Sequence, residues 1–192
     1  MGRPPRHDVD RLLDAAAALV AEGGPGAATM TAVARAASAP SGSVYHRFPG
    51  RPALLAALWL RTVERFQQGF LAALDTDPPA QAAPAAARHV VAWCRAHPNE
   101  ARILLYGPAD FDHGNWPEQA RDRLTAANER VTSALRALAA RLGRSSAHDL
   151  ERLTLAAVDI PYATVRRHFS AGSPLPDYAE DLVTSCAIAV AG

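Results

Sequence analysis

Apolar positions recur with a helical period along almost the whole chain, and period-2 alternation is scarce. Leu12, Leu13, Ala16, Leu19 and Val20 fall on one face of a helix expected from about Asp8 to Glu22, which the Gly23-Gly24-Pro25-Gly26 run then ends. Two shorter amphipathic pieces follow, Met30 to Ala37 with Thr29 as its cap and Ser41 to Arg47, parted by Ser38-Ala39-Pro40. Pro49-Gly50 stops the third helix. Pro52, at a first-turn position that tolerates proline, opens a fourth that runs to about Leu74. Leu55, Leu58, Trp59, Thr62, Phe66, Phe70 and Leu74 lie on its connected apolar faces. Later helices are expected near 81–97, 99–107, 117–142, 147–171 and 175–190, with a loop over Gly107–Pro117. Pro161 interrupts one of these stretches and should kink it. The pattern predicts an all-α chain, with a three-helix head over residues 1–52 and a larger helical core over 53–192.

Two short helices about a tight break have the proportions of a DNA-reading helix-turn-helix. Charge agrees with that reading. No carboxylate stands between Glu22 and Glu64, while Arg35, His46, Arg47, Arg51 and Arg61 all fall in the interval. A surface that approaches phosphates should lack acids and carry donors.

The wording of this stretch also resembles a family. Ser41-Gly42-Ser43-Val44-Tyr45-His46-Arg47-Phe48, followed by Arg51 and Leu54-Leu55, is similar to the TetR-type repressors, and so is the first helix from Arg11 to Gly23. The usual turn glycine is Ser38 here, and the usual serine after the turn is Pro40. The resemblance implies a homodimeric, ligand-responsive regulator that binds a near-palindromic double-stranded operator as a repressor. It also implies a helical regulatory core whose last two long helices form a four-helix dimer seam.

Composition sets bounds on this picture. At 192 residues with a net charge of +1, nucleic-acid affinity must come from a local patch. All the basic residues are arginine and none is lysine, alongside abundant alanine, a bias that fits a GC-rich coding sequence rather than a function. Cys94 and Cys186 stand far apart, as free thiols of a reducing compartment do. The basic, proline-broken start has no apolar signal region behind it, and no apolar run is long enough to span a bilayer, so a cytoplasmic protein is expected.

The DNA-facing set expected is Thr29, Thr31, Arg35, Ser41, Gly42, Ser43, Tyr45, His46, Arg47 and Arg51. Hydroxyls, rings and guanidinium groups position the module on phosphates or read base edges. Gly42, lacking Cβ, lets the backbone come close to a phosphate. A plainer reading packs Tyr45 on the head and leaves Arg51 a solvated charge. Arg3 and Arg6 form either a minor-groove arm or an unstructured start. Val44 and Phe48, four apart, are core.

For an effector, Trp93, Tyr106, Phe111 and Trp116, with Asn128 as a polar partner, either line a cavity between helices or pack as core. Ala157, Pro161, Thr164, His168, Val183, Cys186, Ala187 and Val190 offer small-residue faces for a dimer seam, or for packing inside one chain. No cofactor or metal is expected: His89, Cys94 and His97 do not share one helix face. An alternative is a helical DNA-binding module that answers to a partner protein. Another is a small helical enzyme using Asp110, Asp112 and His113, which read more simply as an acidic surface loop. The Gly23–Gly26 run precedes no strand and is not a dinucleotide fingerprint. No nucleophile–base pair stands at useful spacing, and the chain is not expected to be an enzyme.

Overall fold

The computed structural model describes residues 5–144 and 146–192, without the side chains of residues 5–8 and Ser41. Ten α-helices form among the described residues: α1 (Pro5–Gly23), α2 (Met30–Ala36), α3 (Ser41–Arg47), α4 (Arg51–Leu74), α5 (Ala82–Ala96), α6 (Pro98–Leu105), α7 (Glu118–Arg141), α8 (Ala147–Thr154), α9 (Ile160–Ser170) and α10 (Ala179–Ala191). None is long and apolar enough to cross a membrane. Two compact units result. One comprises the residues up to Val63 together with Asn99–Thr125, and the other Glu64–Pro98 with Ala126–Gly192. This division falls inside α4 rather than after residue 52, and the first unit also takes in α6 and the loop behind it.

In the first unit α1 packs on α2, and α2 on α3. Leu12, Ala16, Val20, Val33, Val44, Leu54, Leu55 and Leu58 are buried there. Each such large aliphatic side chain contributes about 1.5–3 kcal/mol by leaving water. Leu19, expected on the inner face of α1, is only half-buried. Thr29 caps α2, its Oγ1 accepting from the Ala32 N–H at 3.1 Å. Ser38 then takes the left-handed conformation, φ 51°. Its N–H donates to Arg35 O and that of Ala39 to Ala34 O, the paired bonds of a Schellman stop. Serine thus holds the turn that glycine would take at lower cost.

In the second unit α5 is the central helix, packing on α9 and α10. Val91, Ala86, Ala87, Leu138, Leu153, Ala156, Ala157, Val183 and Ala187 make the core. The stretch expected as one kinked helix over 147–171 is α8, a π-helical turn over Leu155–Asp159, and α9. Pro161 cannot donate to Ala157 O, and the chain accommodates it by a wider turn in which the Ile160 N–H reaches back to Leu155 O. Arg95 and Arg88 on α5 pair with Glu180 on α10, and Arg88 also with Asp181 at 3.2 Å.

Candidate nucleic-acid interface

The second helix of the pair, α3, buries one stripe and shows another. Val44 is fully buried and Phe48, its C-cap, nearly so, which fixes the helix on the head. Tyr45 on the opposite stripe is 57 % exposed, which decides against the reading in which it packs on the core. His46 and Gly42 are exposed with it, Ser43 is half-buried, and Thr31 and Arg35 on α2 are exposed. A Cβ at Gly42 would meet nothing within 4 Å, so packing inside the chain does not require glycine there. Thr29 is exposed but has its hydroxyl engaged in the α2 cap. Arg47 is half-buried. The side chain of Ser41 lies outside the described residues, as do Arg3 and the side chain of Arg6.

Two arginines of the acid-free interval turn inward instead. Arg51 donates through Nη2 to Pro25 O at 2.7 Å and through Nε to Ala28 O at 3.2 Å. The guanidinium expected as a phosphate anchor is engaged within the chain: the carbonyls of the loop between α1 and α2 are strong acceptors within reach and take its fork. Arg61 binds α1, with Nη1 at 2.8 Å from Asp14 Oδ1 and 3.1 Å from Asp10 O. The Asp14 carboxylate, with that of Asp10 farther off at 3.6 Å, thus engages one cation of the interval from α1. What remains outward is a face of Thr31, Arg35, Gly42, Tyr45 and His46, on helices free of acids.

The expected effector residues fall into two ring clusters, one in each unit. In the first, Phe111 is fully buried with its ring 4.9 Å from Trp59 and 6.2 Å from Tyr106. Trp116 closes the loop by donating from Nε1 to Phe111 O at 2.7 Å. Trp59 was read only as part of the α4 apolar face, yet its buried Nε1 lacks a hydrogen-bond partner. In the second unit Trp93 stands edge-on to Phe66 at 5.3 Å and lies 5.0 Å from His97. Asn128 is exposed on α7.

The loop acids have local employment. Asp110 accepts from the Gly107 N–H at 2.7 Å, Asp112 from Asn115 Nδ2 at 2.7 Å, and the His113 ring packs on Trp116 at 4.9 Å. These bonds close the loop on itself and do not present a catalytic pair. Cys94 is buried, which pushes its thiol up to about 12. His89 donates through Nε2–H to Phe66 O, 3.1 Å away. Among the described residues no three His, Cys, Asp or Glu are grouped to hold a metal ion.

Of the residues expected at a dimer seam, Ala157, Pro161, Val183 and Ala187 are buried within the single chain. The small residues let helices of one core approach closely. Thr164, His168, Cys186 and Val190 are half-buried, and His168 O accepts from the Ser173 hydroxyl. The outward large hydrophobic residues of the same stretch, among the described residues, are Leu155, Tyr162, Tyr178, Leu182 and Ile188.

Comparison with known proteins matches these elements. The family model for bacterial regulatory proteins, tetR family, matches residues 12–58, which span α1 to the first turns of α4. The fatty acid degradation regulator FadR from Bacillus halodurans has the same fold at 15 % identity, TM-score 0.74, over 100 % of this chain and 97 % of its own. A TetR family transcription regulator from Marinobacter aquaeolei VT8 gives 16 % identity and TM-score 0.74, covering 96 % and 95 %. A TetR-family regulator from Streptomyces coelicolor gives 25 % identity and TM-score 0.62, covering 95 % and 96 %. No curated protein matches the sequence.

Proposed function

Starting from a chain that belongs to the TetR family of bacterial transcriptional regulators, we propose that it is a homodimeric repressor. It binds a near-palindromic operator through α3 and is released by a small molecule. The observation that carries this reading is the exposed stripe of α3. An aromatic hydroxyl, an imidazole and a bare glycine backbone face outward from a helix pair with no carboxylate, while Val44 and Phe48 hold that helix in place. Phosphate contacts set the register of such a module, and base-edge contacts supply sequence preference. A two-fold dimer would set its two α3 helices in successive major grooves, about 34–36 Å or a larger multiple apart.

Release follows if operator and effector prefer different separations of the two heads. Binding one then lowers affinity for the other through their linked equilibrium. The effector is a largely apolar or aromatic molecule. Trp59 supports an added feature, because a buried indole N–H without a partner is costly and is satisfied by a ligand oxygen. Pairing of two chains is supported by the outward Leu155, Tyr162, Leu182 and Ile188, rather than by the alanines buried beneath them.

Selection of duplexes from a random pool, followed by mobility shift at fixed salt, tests the proposal. Recovery of a two-fold symmetric sequence bound by a dimer is the expected result. A protein that retains no duplex above background sinks it.

A further inference from the structure

We propose that Arg51 is a positioning residue for DNA recognition, which sets the α2–α3 pair from behind instead of contacting a phosphate. The inference rests on the DNA-binding reading above. Its basis is where the guanidinium fork goes. Nε and Nη2 form the edge that grips a phosphate or carboxylate bidentately. Here that edge spans two carbonyls, Ala28 O at 3.2 Å and Pro25 O at 2.7 Å.

Those carbonyls bracket the 3-10 turn Pro25–Ala27, between α1 and α2. The segment contains Gly24 and Gly26 directly after Gly23, the last residue of α1, so its backbone has many states to choose from. Its own backbone bonds are short-range ones, Ala27 N–H to Gly24 O at 3.0 Å, Ala28 N–H to Pro25 O at 3.3 Å and Thr29 N–H to Ala27 O at 2.9 Å, and the guanidinium adds a tie from outside the turn. Ala28 is fully buried, and the next residue, Thr29, is the cap from which α2 starts. Fixing residues 25 and 28 therefore fixes the first turn of α2, on which α3 packs. The other end of the tie is itself held, because Arg61 fastens α4 to α1 at Asp10 and Asp14. A lysine ammonium carries its three donors on one nitrogen and does not reproduce the fixed two-nitrogen spacing of an arginine fork.

The test compares wild type, Arg51→Gln and Arg51→Lys on two duplexes of about 30 base pairs, three helical turns. One is selected from a random pool by the wild-type protein, and the other is a random sequence. Affinity is measured across a salt series, with circular dichroism melts showing that each variant is folded at the assay temperature. We expect both variants to lose about tenfold on the selected duplex. They should lose little on the random one, and the slope of log K against log salt should match wild type. A role in stability alone would leave the ratio of selected to random affinity unchanged in folded protein. That outcome overturns the proposal. So does a phosphate-contact result, in which Arg51→Lys behaves as wild type while Arg51→Gln weakens on both duplexes and its salt slope drops by about 0.9 per lost contact. Should Arg51→Gln fail to fold, Arg51→Lys decides by the same criteria. A wild type that selects no duplex refutes the DNA-binding reading itself, a result distinct from these.

Discussion

The imidazole of His89 on α5 occupies the space that a side chain at Gly69 on α4 would fill. A Cβ at position 69 would stand 2.3 Å from His89 Cε1 and 2.9 Å from Nδ1. The ring is held in this notch by Nε2 against Phe66 O at 3.1 Å and by the Phe66 ring at 5.5 Å. Gly69→Ala should therefore destabilise the second unit by about 1–3 kcal/mol, the usual cost of overpacking. The improved helix propensity of alanine, about 1 kcal/mol, is the smaller effect. Urea denaturation of Gly69→Ala in wild-type and His89→Ala backgrounds checks the pairing. The substitution should lose its cost once the ring is gone, and additive costs would show that the notch is not what requires glycine.

His89 also makes stability depend on pH. Burial lowers its pKa from the ordinary 6.5, opposed by the bond to Phe66. The folded chain thus keeps the neutral ring where the unfolded chain takes up a proton. Stability from this group is complete above pH 6.5 and is lost as pH falls from there towards the lower folded value. Urea midpoints between pH 7.5 and 5 should fall less steeply for His89→Gln than for wild type. Parallel curves would remove His89 from the account.

Ser38 and Gly42 predict stability changes that part company from DNA affinity. Ser38→Gly relieves the left-handed turn and should add about 0.5–1 kcal/mol, seen as a higher Tm. Gly42→Ala should likewise stabilise α3 by about 0.5–1 kcal/mol, since open space surrounds the site. It should nevertheless weaken operator binding if the backbone meets a phosphate there. A more stable Gly42→Ala protein with undiminished affinity would place DNA elsewhere.

Two kinds of substitution separate the core of one chain from a seam between two. Ala157 is fully buried, so Ala157→Arg should disrupt folding rather than assembly, because an unpaired buried charge is strongly destabilising. Ile188→Arg and Tyr162→Arg, on the outward face, should leave the fold intact and shift sedimentation from dimer to monomer. A dimer that survives both charges would move the seam off these helices.

These cases also show what could be read in the sequence. The helix-turn-helix was legible because α2, the turn and α3 are set by local rules: Thr29 as cap, Ser38 at the stop, and apolar Val44 and Phe48 one turn apart. Pro161 was rightly placed as a disruption, but periodicity cannot tell a kink from the π-helical turn that absorbs it. The intramolecular bonds of Arg51 were not legible for a physical reason. A carbonyl and a phosphate oxygen attract the same fork, and only the folded loop shows that Pro25 and Ala28 are nearer. Small residues such as Ala157 and Ala187 mark close helix approach without telling whether the neighbour belongs to the same chain. Trp93 and Phe111 looked like one aromatic group along the sequence, yet each finds its ring partner on α4, Phe66 and Trp59 respectively.

Operator affinity of Tyr45→Ala, Ser43→Ala and His46→Ala, measured at one salt concentration on the selected duplex and its single-base variants, tests the central claim most directly. Tyr45 is outward, so its truncation should leave the fold intact and weaken binding to all sequences alike by about 1–2 kcal/mol. Ser43→Ala and His46→Ala should instead change which bases are preferred at a few positions of each half-site. Affinity and base preference unchanged in all three would show that this face of α3 does not meet DNA, and would contradict the account.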